Sequence, residues 1–216
     1  MGLNLSKGNM YDFVTHTWNT VKGRCPYGCT YCYMKRWGQQ KTMRFDEKEL
    51  KTNLGKGNFI FVGSSCDLFA EAVPHNWITR TLNHCAGFEN KYLFQTKNPG
   101  RINENYLPYN SIVCTTIETN RYFPEIMRLA PEPEKRLKDL IALKVRKFIT
   151  IEPVMDFDID DLLQILLIPE LEQVNIGADS GRNNLPEPSQ YKLSTFISVL
   201  QDHVKVVLKK NLKRLL

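Results

Sequence analysis

Residues 25–33 read CPYGCTYCY, three cysteines separated by three and then two residues and set among aromatic neighbours. Three thiolates on one compact loop can hold three corners of an iron–sulfur cube and leave the fourth iron open to substrate or cofactor. The alternative is structural zinc, with His16 or another residue completing a tetrahedral site. Zinc knuckles usually present two separated ligand pairs, and no second pair lies near this triplet.

The remainder of the chain bounds the choice. With 216 residues and 42% hydrophobic content, it can bury one sizeable core, and residues 1–216 are expected to form a single domain. The longest apolar run, LLQILLI at 162–168, is too short to cross a bilayer, and the opening MGLNLSKGNM lacks the charged-then-apolar pattern of a signal peptide. The expected location is therefore the cytoplasm, with no membrane partner. In that compartment six cysteines point to metal or redox chemistry rather than to three disulfides. A net charge of +6 favours an anionic partner, but only modestly, because 29 basic and 23 acidic residues are interspersed.

Beyond the cysteines, short β-rich runs alternate with helical patterns. NFIFVG (58–63), KYLFQT (91–96), SIVCTT (111–116), KFITIE (147–152), EQVNIG (172–177) and HVKVVL (203–208) read as strands, with THTWNTV (15–21) before the triplet as a first one. Helices are expected over 46–54, 75–88, 134–144, 158–168 and 188–201. Asp156 or Asp158 can cap the helix containing LLQILL, and Pro169 can stop it. Repeated βα units imply parallel strands. Six or seven of them predict an incomplete, laterally open (βα)6-type TIM-like barrel, since a complete barrel takes about 250 residues. Nearly every strand ends in polar residues (CPYGC, GSSCD, TKNPG, TTIETN, IEPVMD, GADSG, KKN), which suggests one shared site at the barrel mouth.

The pattern Cys25-x3-Cys29-x2-Cys32, with Tyr31 directly before the third cysteine, resembles the signature of the radical S-adenosylmethionine (SAM) enzymes. VGSSCDLF (62–69), QTKNP (95–99), ITIEP (149–153) and NIGADSGR (175–182) extend the likeness to about Trp18–Asn211. Together they resemble a small, often phage-associated radical SAM family of unassigned activity and, more distantly, the spore photoproduct lyases of DNA repair. The resemblance implies an incomplete barrel and a [4Fe-4S] cluster on Cys25, Cys29 and Cys32. It implies that the open iron chelates SAM and that cluster reduction cleaves SAM to methionine and a 5′-deoxyadenosyl radical, which takes hydrogen from a substrate. A reducing partner of flavodoxin or ferredoxin type is implied as well.

Carried over by position, the likeness places Ser64, Ser65, Cys66 and Asp67 at the methionyl amino group and Lys97 at the methionyl carboxylate. Thr115, Thr116 and Glu118 fall where the ribose is held, Gly177 and Ala178 where backbone approaches adenine, and Tyr31 against the cofactor. A lysine ammonium suits a carboxylate because it supplies several charge-assisted donors. The lyases carry a hydrogen-donating cysteine two positions before their cofactor-binding serine. Here Ser64 stands at that position and Cys66 at the serine, so Cys66 is read either as a relocated hydrogen donor or as packing.

Cys66 and Tyr33 are the candidate catalytic side chains. Glu152 and Asp156 flank one strand end, and Asp179 and Arg182 another, as further site candidates. Cys85 and Cys114 read as core residues, and His16, His75, His84 and His203 share no ligand spacing. Tyr33, Lys35, Arg36 and Trp37 (YMKRW) could stack on and neutralise a nucleic-acid strand. The ending KKNLKRLL carries four basic residues in eight. These features favour a bulky anionic substrate such as a nucleic-acid base. A peptide or small metabolite, and a non-catalytic zinc-stabilised nucleic-acid-binding module, are the other readings.

Overall fold

The computed structural model describes residues 2–7 and 11–216. Its strands are β1 (Asn4–Leu5), β2 (His16–Trp18), β3 (Val21–Lys22), β4 (Arg44–Phe45), β5 (Phe59–Val62), β6 (Lys91–Thr96), β7 (Ser111–Thr116), β8 (Arg146–Ile151), β9 (Leu171–Ile176) and β10 (Lys205–Leu208). Eight of them form one sheet in the order β1-β2-β5-β6-β7-β8-β9-β10, while β3 and β4 pair separately. β1 runs antiparallel to β2, and every other neighbouring pair of the large sheet is parallel. Among the described residues no ladder joins β10 to β1, so the sheet stays open.

Parallel strands covered on both faces should be apolar throughout. β7 is buried at every position, which agrees with its unbroken reading as SIVCTT. The helices α1 (His75–Ala86), α2 (Pro124–Met127), α3 (Pro133–Ala142), α4 (Ile159–Leu166) and α5 (Gln190–Gln201) connect successive strands. Ser189 caps α5 by accepting from the Lys192 N–H at 3.3 Å, and Pro133 opens α3 where its missing N–H costs nothing.

Three local expectations change. Residues 46–54 make only a short 3-10 turn, Glu47–Lys51, because Lys22 draws Asp46 and Glu49 onto β3. THTWNTV breaks into β2 and β3, since its halves pair with different partners. Asp158 occupies the start of α4 but makes no side-chain cap, its carboxylate being taken by Arg121 and Asn120; the helix ends at Leu166, ahead of Pro169.

Alternation along the strands divides the core in two. Ile60, Val62, Phe94, Val113, Ile149 and Ile151 join the main cluster with residues from the helices. Phe61, Leu93, Ile112, Cys114 and Phe148 form a second cluster with Tyr11 and Val14. The segment preceding β2 thus packs on the inner face of the sheet. Cys85 and Cys114 are both fully buried, as expected of core residues.

Candidate active site

A cavity of about 1350 Å³ opens where the parallel strands end. Cys25, Cys29 and Cys32 line it together with Tyr31, Tyr33, Asp67, Lys97, Thr116, Glu152 and Ala178. The loop after β3 brings in the cysteines; Asp67 follows β5, Lys97 β6, Glu152 β8 and Ala178 β9. Strand ends far apart in sequence therefore converge on one cavity.

The three cysteines are free thiols. The neighbouring Cys66 thiol lowers the pKa of Cys25, and the same neighbour together with burial pushes Cys66 itself far up. Burial also raises Cys29 and Cys32. Among the described residues no three His, Cys, Asp or Glu side chains converge as a single metal ion requires. His16 does not line the cavity; its Nδ1 lies 2.9 Å from Thr15 Oγ1, so it is not placed to be the fourth ligand of a zinc site. A four-iron cube takes each thiolate on a different iron. Three cysteines lining one cavity supply a donor set that suits that group.

Lys97 and Tyr31 are held by a carboxylate that does not itself reach the cavity. Glu118, fully buried, accepts from Lys97 Nζ at 2.7 Å and from the Tyr31 hydroxyl. Its other oxygen accepts from Arg136 Nη1 at 2.7 Å, and Arg136 is also fully buried. Burial alone would raise the Glu118 pKa, but the charges of Arg136 and Lys97 hold it down to about 2. Burial and the Glu118 charge push the Tyr31 phenol well up, so it remains a donor. Arg136 also donates to the Thr116 carbonyl at 2.9 Å. Glu118 is thus an anchor behind the wall rather than a ligand-facing acceptor. Arg136 escaped the sequence reading, though a signal existed: Pro133, Arg136, Leu137 and Leu140 mark the buried face of α3 at helical spacing.

Other expected residues sort by strand alternation and turn geometry. Thr116 lines the cavity, whereas Thr115 faces the opposite way and donates to the Thr96 carbonyl at 2.7 Å. Ser64, Ser65 and Cys66 do not line the cavity. Asn19 holds Ser64 Oγ at 3.2 Å and the Ser65 N–H at 2.9 Å, and the Ser64 carbonyl accepts from the Tyr33 hydroxyl. Asp67 accepts the N–H groups of Phe69 at 3.0 Å and Lys97 at 2.8 Å, tying the ends of β5 and β6 together; burial nevertheless raises its pKa. At Gly177 a β-carbon would lie 2.8 Å from Glu152 Oε1. That glycine makes room for Glu152, and Ala178 beside it lines the cavity.

A polar floor forms another part of the same cavity. Lys209 pairs with Glu152 and lies 4.6 Å from the centre of the Tyr11 ring. Asn211 Nδ2 donates to Glu152 at 3.1 Å and to the Ala178 carbonyl at 2.8 Å. The Tyr11 hydroxyl donates to Gln95 at 2.7 Å, and Gln95 donates to Thr116 at 3.2 Å. Asp156 lies elsewhere, held by Arg121 and Lys192, each at 2.7 Å. Asp179 lines the cavity but accepts from the Gly181 N–H at 3.0 Å, and Arg182 does not line it.

Residues 9–209 match DUF5131, a family described as a protein of unknown function. The chain belongs to this family. No curated protein matches the sequence. Among solved structures, a variant of spore photoproduct lyase with SAM and a dinucleoside spore photoproduct bound has a TM-score of 0.61 at 10% identity, over 91% of this chain and 65% of its own. Another variant of that lyase reaches 0.67 at 9% identity, over 97% of this chain and 80% of its own. SuiB of Streptococcus suis bound to SAM gives 0.61 at 10% identity, over 89% of this chain and 50% of its own. At such identities the likeness is one of fold. This DUF5131 chain has the mostly parallel α/β architecture of those structures and spans about two thirds of the first and half of SuiB.

Proposed function

We propose that this protein is a cytoplasmic radical SAM enzyme that takes hydrogen from a bulky anionic substrate, such as a nucleic-acid base. The observation that carries the reading is that all three cysteines of the C-x3-C-x2-C motif line the cavity at the strand ends. In this reading Cys25, Cys29 and Cys32 would hold a [4Fe-4S] cluster, which would supply the one-electron reductive chemistry for cleaving SAM. SAM-bound solved structures of the same fold support the cofactor assignment.

The chain's own residues bind, orient and shield. Lys97, its amine aimed by Glu118, offers donors to the methionyl carboxylate. Thr116 and Ala178 supply a hydroxyl and a small surface to the same cavity, which Tyr31 also lines. Tyr33 closes over the turn that follows β5. A substrate approaching the floor meets Tyr11, Gln95, Glu152 and Lys209. Arg128 and Lys210 line the cavity as well, and Arg36 lies 4.4 Å over the ring of exposed Trp37. Cations beside an exposed indole suit a phosphate-bearing, base-stacking substrate.

The test is anaerobic. Reconstituted protein is reduced in the presence of SAM, and 5′-deoxyadenosine is measured by mass spectrometry with Cys29→Ala as control. Production by the wild type alone supports the assignment. Zinc without iron or acid-labile sulfide after anaerobic preparation would overturn it.

A further inference from the structure

The stretch from Arg24 to Arg44 contains five basic residues, Arg24, Lys35, Arg36, Lys41 and Arg44, and no acidic one. All five are exposed. Among the described residues none pairs with a carboxylate, whereas Arg80, Arg101, Arg121, Arg136, Arg146 and Arg214 all do. The nearby carboxylate of Asp46 is held by Lys22 at 2.8 Å.

This basic surface has a fixed shape. The Arg24 N–H donates to the Lys41 carbonyl at 2.8 Å. A β-carbon at Gly23, whose φ is +103°, would lie 2.5 Å from the Thr42 carbonyl, so only glycine lets the two segments approach so closely. Together with the β3–β4 pair, in which Lys22 faces Arg44, these contacts lay residues 41–44 beside the first cysteine.

Between the two segments lies a second, smaller depression of about 460 Å³. Its lining includes Cys25, Arg24, Gln39, Gln40, Thr42 and Met43. None of Tyr31, Lys97, Thr116 or Glu152 reaches it. The depression shares Arg24, Cys25, Pro26, Gln39 and Gln40 with the reaction cavity and adds Thr42 and Met43, so it adjoins that cavity at the first motif cysteine. Arg24, Lys35 and Arg36 also line the reaction cavity, whereas Lys41 and Arg44 line neither hollow. These last two add charge to the surrounding surface without belonging to the reaction cavity.

We propose that this depression and its cationic rim are the docking surface for an acidic one-electron carrier protein. The proposal rests on the radical SAM reading, which requires a reductant. One electron leaves the carrier's reduced cofactor and one enters the four-iron group held by Cys25, Cys29 and Cys32; no atom is transferred. Charge complementarity selects the partner. Carrier encounters are small and transient, and opposite surface fields raise their association rates by roughly ten- to a thousandfold at low salt.

The test uses flavodoxin hydroquinone as probe and the double variant Lys41→Glu/Arg44→Glu, both positions being exposed and outside the reaction cavity. Cluster reduction is followed by bleaching of its visible absorbance in stopped flow, and flavodoxin binding by calorimetry, each at low and high ionic strength. The double variant should bind flavodoxin at least tenfold more weakly and be reduced roughly ten- to a hundredfold more slowly at low salt, with the difference closing at high salt. Photoreduction by neutral 5-deazaflavin, which needs no docking, should proceed at the wild-type rate and support 5′-deoxyadenosine formation in both proteins.

Unchanged flavodoxin binding and reduction in the double variant would overturn the docking surface. So would wild-type protein that binds a single-stranded oligonucleotide through Lys41 and Arg44 but shows no affinity for flavodoxin. Failure of the enzymatic reading appears separately, as protein that takes up no iron or forms no 5′-deoxyadenosine after deazaflavin photoreduction.

Discussion

Replacing Arg136 by leucine tests the anchor behind the cavity wall. Arg136 and Glu118 are both fully buried and joined at 2.7 Å, and the guanidinium also satisfies the carbonyls of Thr116 and Pro131. Leucine fills much of the volume but leaves the carboxylate with Lys97 and Tyr31 only, and both carbonyls without this donor. Removing one partner of a buried pair costs about 3–5 kcal/mol. For a chain of this size each kcal/mol shifts Tm by about 2–4 °C, so Arg136→Leu should melt roughly 6–20 °C lower by circular dichroism.

The double variant Arg136→Leu/Glu118→Leu should recover part of that loss, because it removes both charges and strands neither. The pH dependence gives an independent check. The folded pKa of Glu118, held down to about 2, lies below the usual glutamate value near 4.3. Its contribution to stability is therefore fully present above about pH 4.3 and lost as the pH falls towards 2. Wild-type stability should drop through that window, and the double variant should drop less. A single variant within about 1 kcal/mol of wild type, or a double variant less stable than the single, would refute the reasoning.

Lys97→Met should weaken SAM binding about ten- to a hundredfold in anaerobic equilibrium dialysis, the range expected for losing one charged hydrogen bond, while iron content stays at the wild-type level. Gly177→Ala should cost about 1–3 kcal/mol in urea unfolding, since the new methyl must displace a Glu152 side chain that Lys209 and Asn211 hold in place. Trp37 is 59% exposed, so Trp37→Ala should leave stability within about 0.5 kcal/mol of wild type. The same change should weaken single-stranded oligonucleotide binding roughly five- to a hundredfold by fluorescence anisotropy, the cost of one lost stacking platform.

The strands that position the site were legible because their apolar runs are continuous and their ends are polar. The cysteine loop was legible because ligand spacing is local. Harder to read were features that depend on partners distant in sequence. Thr115 and Thr116 look alike in SIVCTT, and only the period-two alternation of a placed strand sends one into the cavity and the other away. Gly177 read as an opening for a ligand until Glu152, 25 positions earlier, occupied the space above it. Arg136 stood at an apolar-face position of α3, a conflict between residue type and helical period that itself marked a buried charge. Residues 46–54 carry a helical pattern, but their ion pairs to Lys22 decide the conformation.

The seating of Tyr11 and Val14 on the inner face of the sheet bears on how the chain is assembled during synthesis. Their cluster partners Phe61, Leu93, Ile112, Cys114 and Phe148 lie on four strands translated later. Contacts of such long sequence separation form slowly, because loop-closure entropy must be met before they stabilise anything. Residues 11–14 therefore leave the ribosome well before the surface that receives them exists, and β8, which carries Phe148, must emerge before the floor of the cavity can set. Pulse proteolysis of stalled nascent chains should show the segment protected only once β8 has cleared the exit tunnel.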